Sequence, residues 1–168
     1  FVVIFITIGV VSYVVNESTL AEWLKTPQPP GQLIDTSAGK VYATSKGQGP
    51  ITVVFLSGLG SISAEWWSIQ DTLSKEFHTI TYDRPGYTWS TPSNSLGLEV
   101  QKSILTELMQ KLGASPEIIL VGHNIGANIA RKIYAQLPYK IKGLVLIDPL
   151  LYPVKADTKI DREWREQF

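Results

Sequence analysis

From Leu33 onward, short apolar runs alternate with stretches in which apolar residues return every three or four positions. "QLIDTSAGKVYATSKG" (32–47) alternates apolar and polar and carries a Ser37–Gly39 turn, which predicts a two-strand hairpin. "ITVVFL" (51–56) is apolar throughout, as a strand buried on both faces must be. Residues 63–75 have helical spacing with Ser63 as candidate N-cap, and "HTITYD" (78–83) reads as a second inner strand. Leu98, Leu105, Leu108, Met109 and Leu112 share a helical stripe within 96–112, ended by Gly113. "EIILVG" (117–122), a helix from about Asn124 to Leu137, and "GLVLID" (143–148) complete the series. The pattern predicts an α/β protein: a mostly parallel sheet with helices on both faces.

The front of the chain breaks this pattern. "FVVIFITIGVVSYVV" (1–15) has no charge, and an apolar run of this kind reads as an N-terminal membrane anchor, somewhat short of the ~20 residues a spanning helix needs. A cleavable signal peptide lacks a small-x-small site before "NESTLAEW", and a buried strand is the remaining alternative. Residues 1–25 are therefore assigned to the anchor and an amphipathic stretch, and 26–32, rich in proline, to a stiff spacer. Residues 33–168 form the folded domain, expected outside the cytoplasm and tied to the membrane through 1–15.

In a parallel sheet, ligands bind beyond the carboxyl ends of the strands. Three strand ends here run into loops of unusual composition: "SGLGS" (57–61), "DRPGYTWS" (83–90) and "GHNIG" (122–126). In the last, Gly122 and Gly126 flank His123, Asn124 and Ile125 as glycines flank a nucleophile on a sharp strand-to-helix turn, where no side chain fits two positions either side. Position 124, however, carries an asparagine. The Gly-rich loop at 57–61 can turn backbone N–H groups toward a developing oxyanion, with Leu59 as one donor and Ile125 as the other. Asp83 and Arg84 read as residues that orient loops by hydrogen bonding. Trp66, Trp67 and Trp89 are candidates for a pocket mouth or for core. His123, beside the turn residue, is expected to point away from the pocket. His78, at the start of its strand, is expected to be remote from it.

Composition narrows the chemistry. Fifteen basic and fifteen acidic side chains give zero formal charge, so no field gathers nucleic acid or acidic substrates. Without cysteine there are no disulfides or thiolate nucleophiles, and two histidines argue against a multi-His metal site. No cofactor, metal or nucleic acid is expected.

"LSGLGS…W", "TYDRPGYTWS", "LVGHNIGANIARKIY" and "GLVLIDP", in this order and at these intervals, resemble the N-terminal part of the α/β-hydrolase superfamily, and in particular its small, membrane-anchored, esterase-like bacterial members. The resemblance covers roughly residues 33–150. It implies that the nucleophile falls on position 124, the oxyanion donors on Leu59 and Ile125, and a cap after Asp148. Asp148 is itself an alternative triad acid, against the plainer reading of a turn residue before Pro149.

Two departures stand out. The family carries Ser, or Asp in dehalogenases and epoxide hydrolases, where this chain has Asn124; and Ser57 stands where many relatives have His. The family's triad runs Ser, acid, His, yet no histidine follows position 123. The strand 143–148 would leave an apolar edge open, so a missing C-terminal part or a partner is expected to cover it.

The implied function is hydrolysis of carboxylic esters or related acyl compounds, silent in this chain because an amide at position 124 cannot attack. Asn124 is either introduced or the natural residue of a pseudoenzyme. One alternative is an aspartate-nucleophile dehalogenase or epoxide hydrolase, silenced by the isosteric Asn. The other is a non-catalytic binding module that keeps the pocket.

Overall fold

The computed structural model describes residues 29–137 and 141–149. The expected anchor at 1–15 lies outside them; among the described residues no helix is long and apolar enough to cross a membrane. From Gly31 onward the described residues belong to one compact unit.

In chain order the elements are β1 (Gln32–Thr36), β2 (Gly39–Lys46), β3 (Ile51–Leu56), a 3-10 turn (Ser63–Trp66), α1 (Trp67–Leu73), β4 (His78–Tyr82), α2 (Leu98–Lys111), β5 (Glu117–His123), α3 (Ile125–Gln136) and β6 (Ile141–Ile147). The sheet order is β1-β2-β4-β3-β5-β6. Strands β3, β4, β5 and β6 run parallel, whereas β1 is antiparallel to β2 and β2 antiparallel to β4. The sheet is therefore mixed, with its parallel part central.

Side chains of a strand alternate between faces, and the core divides accordingly. Val54, Leu56, Ile118 and Leu120 pack with Ile104, Leu105, Leu108, Ile129 and Ile133 of α2 and α3. Val53, Phe55 and Val121 face the other way, onto Trp66, Leu73 and Phe77. That is why β3 and β5 read as unbroken apolar runs: both of their faces are covered. At the far edge β6 has β5 as its neighbour in the sheet, and Val145, Leu146 and Ile147 are exposed.

The expected Ser63 cap is corrected by the structure. The 3-10 turn follows Ile62 and makes no side-chain cap hydrogen bond; Ser63 is buried, and its N–H is taken by the Asp83 carboxylate at 2.6 Å from across the sheet end. A side-chain oxygen of Asp83 aimed at the turn's start displaces the local hydroxyl from the role.

His78 lies at the opposite end of the sheet from the three candidate loops, 7% exposed. Its ring nitrogens meet Ser45 Oγ at 2.8 Å and Thr52 Oγ1 at 3.1 Å. Burial holds its pKa below the ordinary 6.5, so the unfolded chain takes up this proton first as the pH falls. The stability associated with neutral His78 is present above pH 6.5 and is lost as the pH drops below that value. Urea melts between about pH 7 and about pH 5 should therefore show a shallower loss of stability in His78→Gln than in the parent. Equal slopes would remove His78 from this accounting.

Candidate functional site

A single residue separates β5 from α3. Asn124 takes φ 52°, ψ −117°, the conformation of the first central residue of a type II′ turn, which glycine ordinarily fills. The neighbours enforce it. A Cβ on Gly122 would lie 2.5 Å from both Ala127 Cα and Gly126 O, and one on Gly126 would lie 2.2 Å from Leu56 O. Helix α3 therefore starts in backbone contact with β3 and β5, and the chain has one residue in which to reverse. The Asn124 N–H donates to Ile147 O at 3.0 Å, fixing the turn to β6 as well.

The side chain of Asn124 folds back on its own turn: Oδ1 accepts the N–H of Ile125 at 2.9 Å. One of the two expected oxyanion donors is thus occupied by the residue at the nucleophile position. The positive φ carries strain of about 1–3 kcal/mol. Asn124→Gly is therefore expected to raise stability by about 1 kcal/mol, since relief of strain outweighs the lost hydrogen bond. A urea melt that moves the other way would contradict the strain reading.

The loop after β3 lies directly on this turn. A Cβ on Gly58 would come 2.9 Å from His123 Nδ1 and 3.3 Å from Asn124 Cβ. Arg84 donates to the carbonyls of Ser57 at 2.5 Å and Gly58 at 2.8 Å. Glu65 Oε1 accepts the Gly58 N–H at 3.1 Å, and its Oε2 lies 3.2 Å from His123 Nδ1. Trp66 donates its indole N–H to Ser57 Oγ at 3.0 Å. The N–H of Leu59 makes no hydrogen bond to a described residue, and Leu59 is 52% exposed.

The exit of β4 ties the loops together. Asp83 is buried; its carboxylate accepts from Ser63 N–H and from the Thr88 hydroxyl. Arg84 lies 4.9 Å from the Tyr87 ring centre, and the Tyr87 hydroxyl accepts the Gly60 N–H at 3.4 Å. Burial pushes the Tyr87 hydroxyl pKa up, but the hydrogen bonds from Arg84 and Gly60 together with the Arg84 charge outweigh it, and the net direction is down. Both members of the Asp83–Arg84 pair orient loops.

The remaining candidates disperse. Trp66 is core, 5.0 Å from Phe55 ring to ring, whereas Trp89 is exposed and lies tilted against Tyr42 with ring centres 4.8 Å apart. His123 is held by Glu65 and presents a T-shaped edge contact to Trp66. Asp148 is exposed at the end of β6 with φ 42°. Glu65 was not singled out by the sequence: it belongs to no motif, and only the folded loop brings it to Gly58 and His123. No group of three or more His, Cys, Asp or Glu among the described residues is arranged to hold a metal ion.

The fold has clear relatives. A family model described as alpha/beta hydrolase fold matches residues 51–168. The chain belongs to the α/β-hydrolase family. Among curated relatives, the uncharacterized protein YqjL of Bacillus subtilis is 31% identical over 119 residues, 70% of this chain and 47% of that protein. The pimeloyl-[acyl-carrier protein] methyl ester esterase of Hamiltonella defensa is 29% identical over 108 residues, 64% of this chain and 39% of the esterase. Among solved structures, an epoxide hydrolase of Bacillus megaterium in complex with an inhibitor superimposes with a TM-score of 0.63 at 26% identity, covering 70% of this chain and 42% of that one. The chain spans less than half the length of each of these proteins.

Proposed function

We propose that this α/β-hydrolase domain is built to hydrolyse carboxylic esters or related acyl compounds, with position 124 as the seat of the nucleophile, and that the asparagine there leaves the chain silent. The observation that carries this reading is the strained one-residue turn, which puts side chain 124 against the loop whose Leu59 N–H has no partner among the described residues. A serine hydroxyl at this position, deprotonated by a histidine from outside these residues, would attack the carbonyl carbon. The Leu59 and Ile125 N–H groups would then receive the negative charge that develops on the carbonyl oxygen. Similarity to a methyl ester esterase supports an acyl substrate.

Two other readings have an observation of their own. Similarity to an epoxide hydrolase favours an aspartate at position 124, and the occupied Ile125 N–H favours a binding module in which chemistry has been lost. The pair Asn124→Ser and Asn124→Asp, made in the full-length protein, separates all three. Ester turnover by the serine variant supports the acyl reading. Opening of epoxides or haloalkanes by the aspartate variant replaces it with the second. Ligand binding indifferent to residue 124, with both variants inactive, leaves the third.

A further inference from the structure

We propose that Arg84 is a positioning residue whose buried charge, without an ion-pair partner among the described residues, sharpens the Leu59 N–H as an anion donor, in addition to holding its loop. The assignment rests on the ester-hydrolase reading for its use in catalysis, but not for its physical content.

The peptide on each side of Gly58 is fixed. A trans peptide points its C=O and its N–H in opposite directions. In the Ser57–Gly58 peptide both ends are taken: the oxygen by Arg84 at 2.5 Å, the N–H by Glu65 at 3.1 Å. In the Gly58–Leu59 peptide the oxygen is taken by Arg84 at 2.8 Å and by the Ser61 N–H at 3.2 Å, while the N–H is left without a partner among the described residues. With its oxygen anchored on the guanidinium, this second peptide must aim the Leu59 N–H away from Arg84. Glu65 and Arg84 act as opposed jaws, and the Leu59 N–H is the group they leave over.

The charge itself is the less expected part. Arg84 is 8% exposed, and among the described residues the ion pairs present do not include it. Its neighbour Asp83 directs its carboxylate to Ser63 and Thr88 instead. An arginine keeps its charge at any ordinary pH, and a buried charge without a counter-charge is costly. Two peptide oxygens and the face of Tyr87 offset that cost only in part. A cation at the oxygen end of a peptide draws electron density from its N–H, and a low dielectric strengthens the effect. An anion arriving at the Leu59 N–H meets a polarised donor and brings the negative charge with which Arg84 forms no ion pair among the described residues.

Two variants separate charge from geometry in the full-length protein: Arg84→Lys keeps the charge and loses the fork, and Arg84→Gln keeps a donor and loses the charge. Base-catalysed hydrogen exchange reads the acidity of an exposed N–H without any turnover, and the Gly58 N–H, bound by Glu65, reports loop integrity. The expected result is that the Leu59 amide exchanges about tenfold more slowly in Arg84→Gln than in the parent, and near the parent rate in Arg84→Lys, with Gly58 still protected. Faster exchange at both Leu59 and Gly58 would make Arg84 a purely structural strut and overturn the proposal, as would an unchanged Leu59 rate. Should Arg84→Gln not fold, Arg84→Lys decides alone: slowed Leu59 exchange in a folded lysine variant overturns the role of charge. In a background carrying Asn124→Ser, Arg84→Gln should lower kcat roughly ten- to a hundredfold at nearly constant KM, a fraction of the ~10²–10³ lost when an oxyanion donor is removed outright. An inactive Asn124→Ser parent, with the exchange pattern as expected, would sink the ester reading and leave the Arg84 assignment standing.

Discussion

Asn124→Ser in the full-length protein is expected to raise hydrolysis of a short activated ester at least about 10³-fold over the asparagine parent. Two changes add together. The substitution supplies a hydroxyl where the amide offers no nucleophile, and it removes Oδ1, the atom that now occupies the Ile125 N–H. A freed Ile125 N–H beside the Leu59 N–H, which has no partner among the described residues, would give two donors, each worth ~10²–10³ in kcat at a developing oxyanion. Steady-state rates on a nitrophenyl ester, with circular dichroism to establish folding, make the comparison. A folded serine variant of the full-length protein no faster than its parent would remove the acyl-transfer reading.

The serine at position 124 inherits the strained backbone, since φ 52° is imposed by the flanking contacts and not by the side chain. Stability should therefore stay close to that of the parent while activity rises. Asn124→Gly should do the reverse, gaining stability at a position that then offers no chemistry. The opposite movement of the two variants would tie the strain to the site.

What the sequence disclosed follows from how local each feature is. The runs 51–56 and 117–122 emerged as inner strands to within a residue because two covered faces demand an unbroken apolar segment. The hairpin turn and the stop at Gly113, φ 69°, likewise depend on neighbours in the chain. Gly122 and Gly126 were legible because the spacing that lets a helix touch a sheet is itself local. What escaped depends on residues far apart in sequence. Asp83 displaces Ser63 as the partner of the 3-10 turn from twenty positions away. Glu65 reaches His123 across fifty-eight. The return of Asn124 Oδ1 to the Ile125 N–H is local, but it depends on a side-chain rotation that residue identity alone does not set.

Gly126→Ala is expected to cost about 3 kcal/mol or more, at the upper end for an overpacked core, because what it strikes is backbone. The added Cβ would lie 2.2 Å from Leu56 O and 2.7 Å from Ser57 O, and neither carbonyl can rotate away as a side-chain tip would. Against a typical domain stability of ~5–15 kcal/mol, such a loss unfolds a sizeable fraction of a marginal protein. Whatever remains folded must move β3 or α3 apart, and that displaces Ser57, whose carbonyl Arg84 holds. Loop and turn would then separate together, so loss of stability and loss of the proposed oxyanion-site geometry should track each other. Gly60→Ala is the internal control: its φ is +73°, yet nothing lies within 4 Å of an added Cβ. It should cost only the ~1–2 kcal/mol of a left-handed backbone. Urea melts of the two variants side by side therefore distinguish close approach from conformational preference. Equal losses at Gly60 and Gly126 would mean that the spacing of the glycines around Asn124 reflects turn geometry alone, and that α3 has room to stand off the sheet.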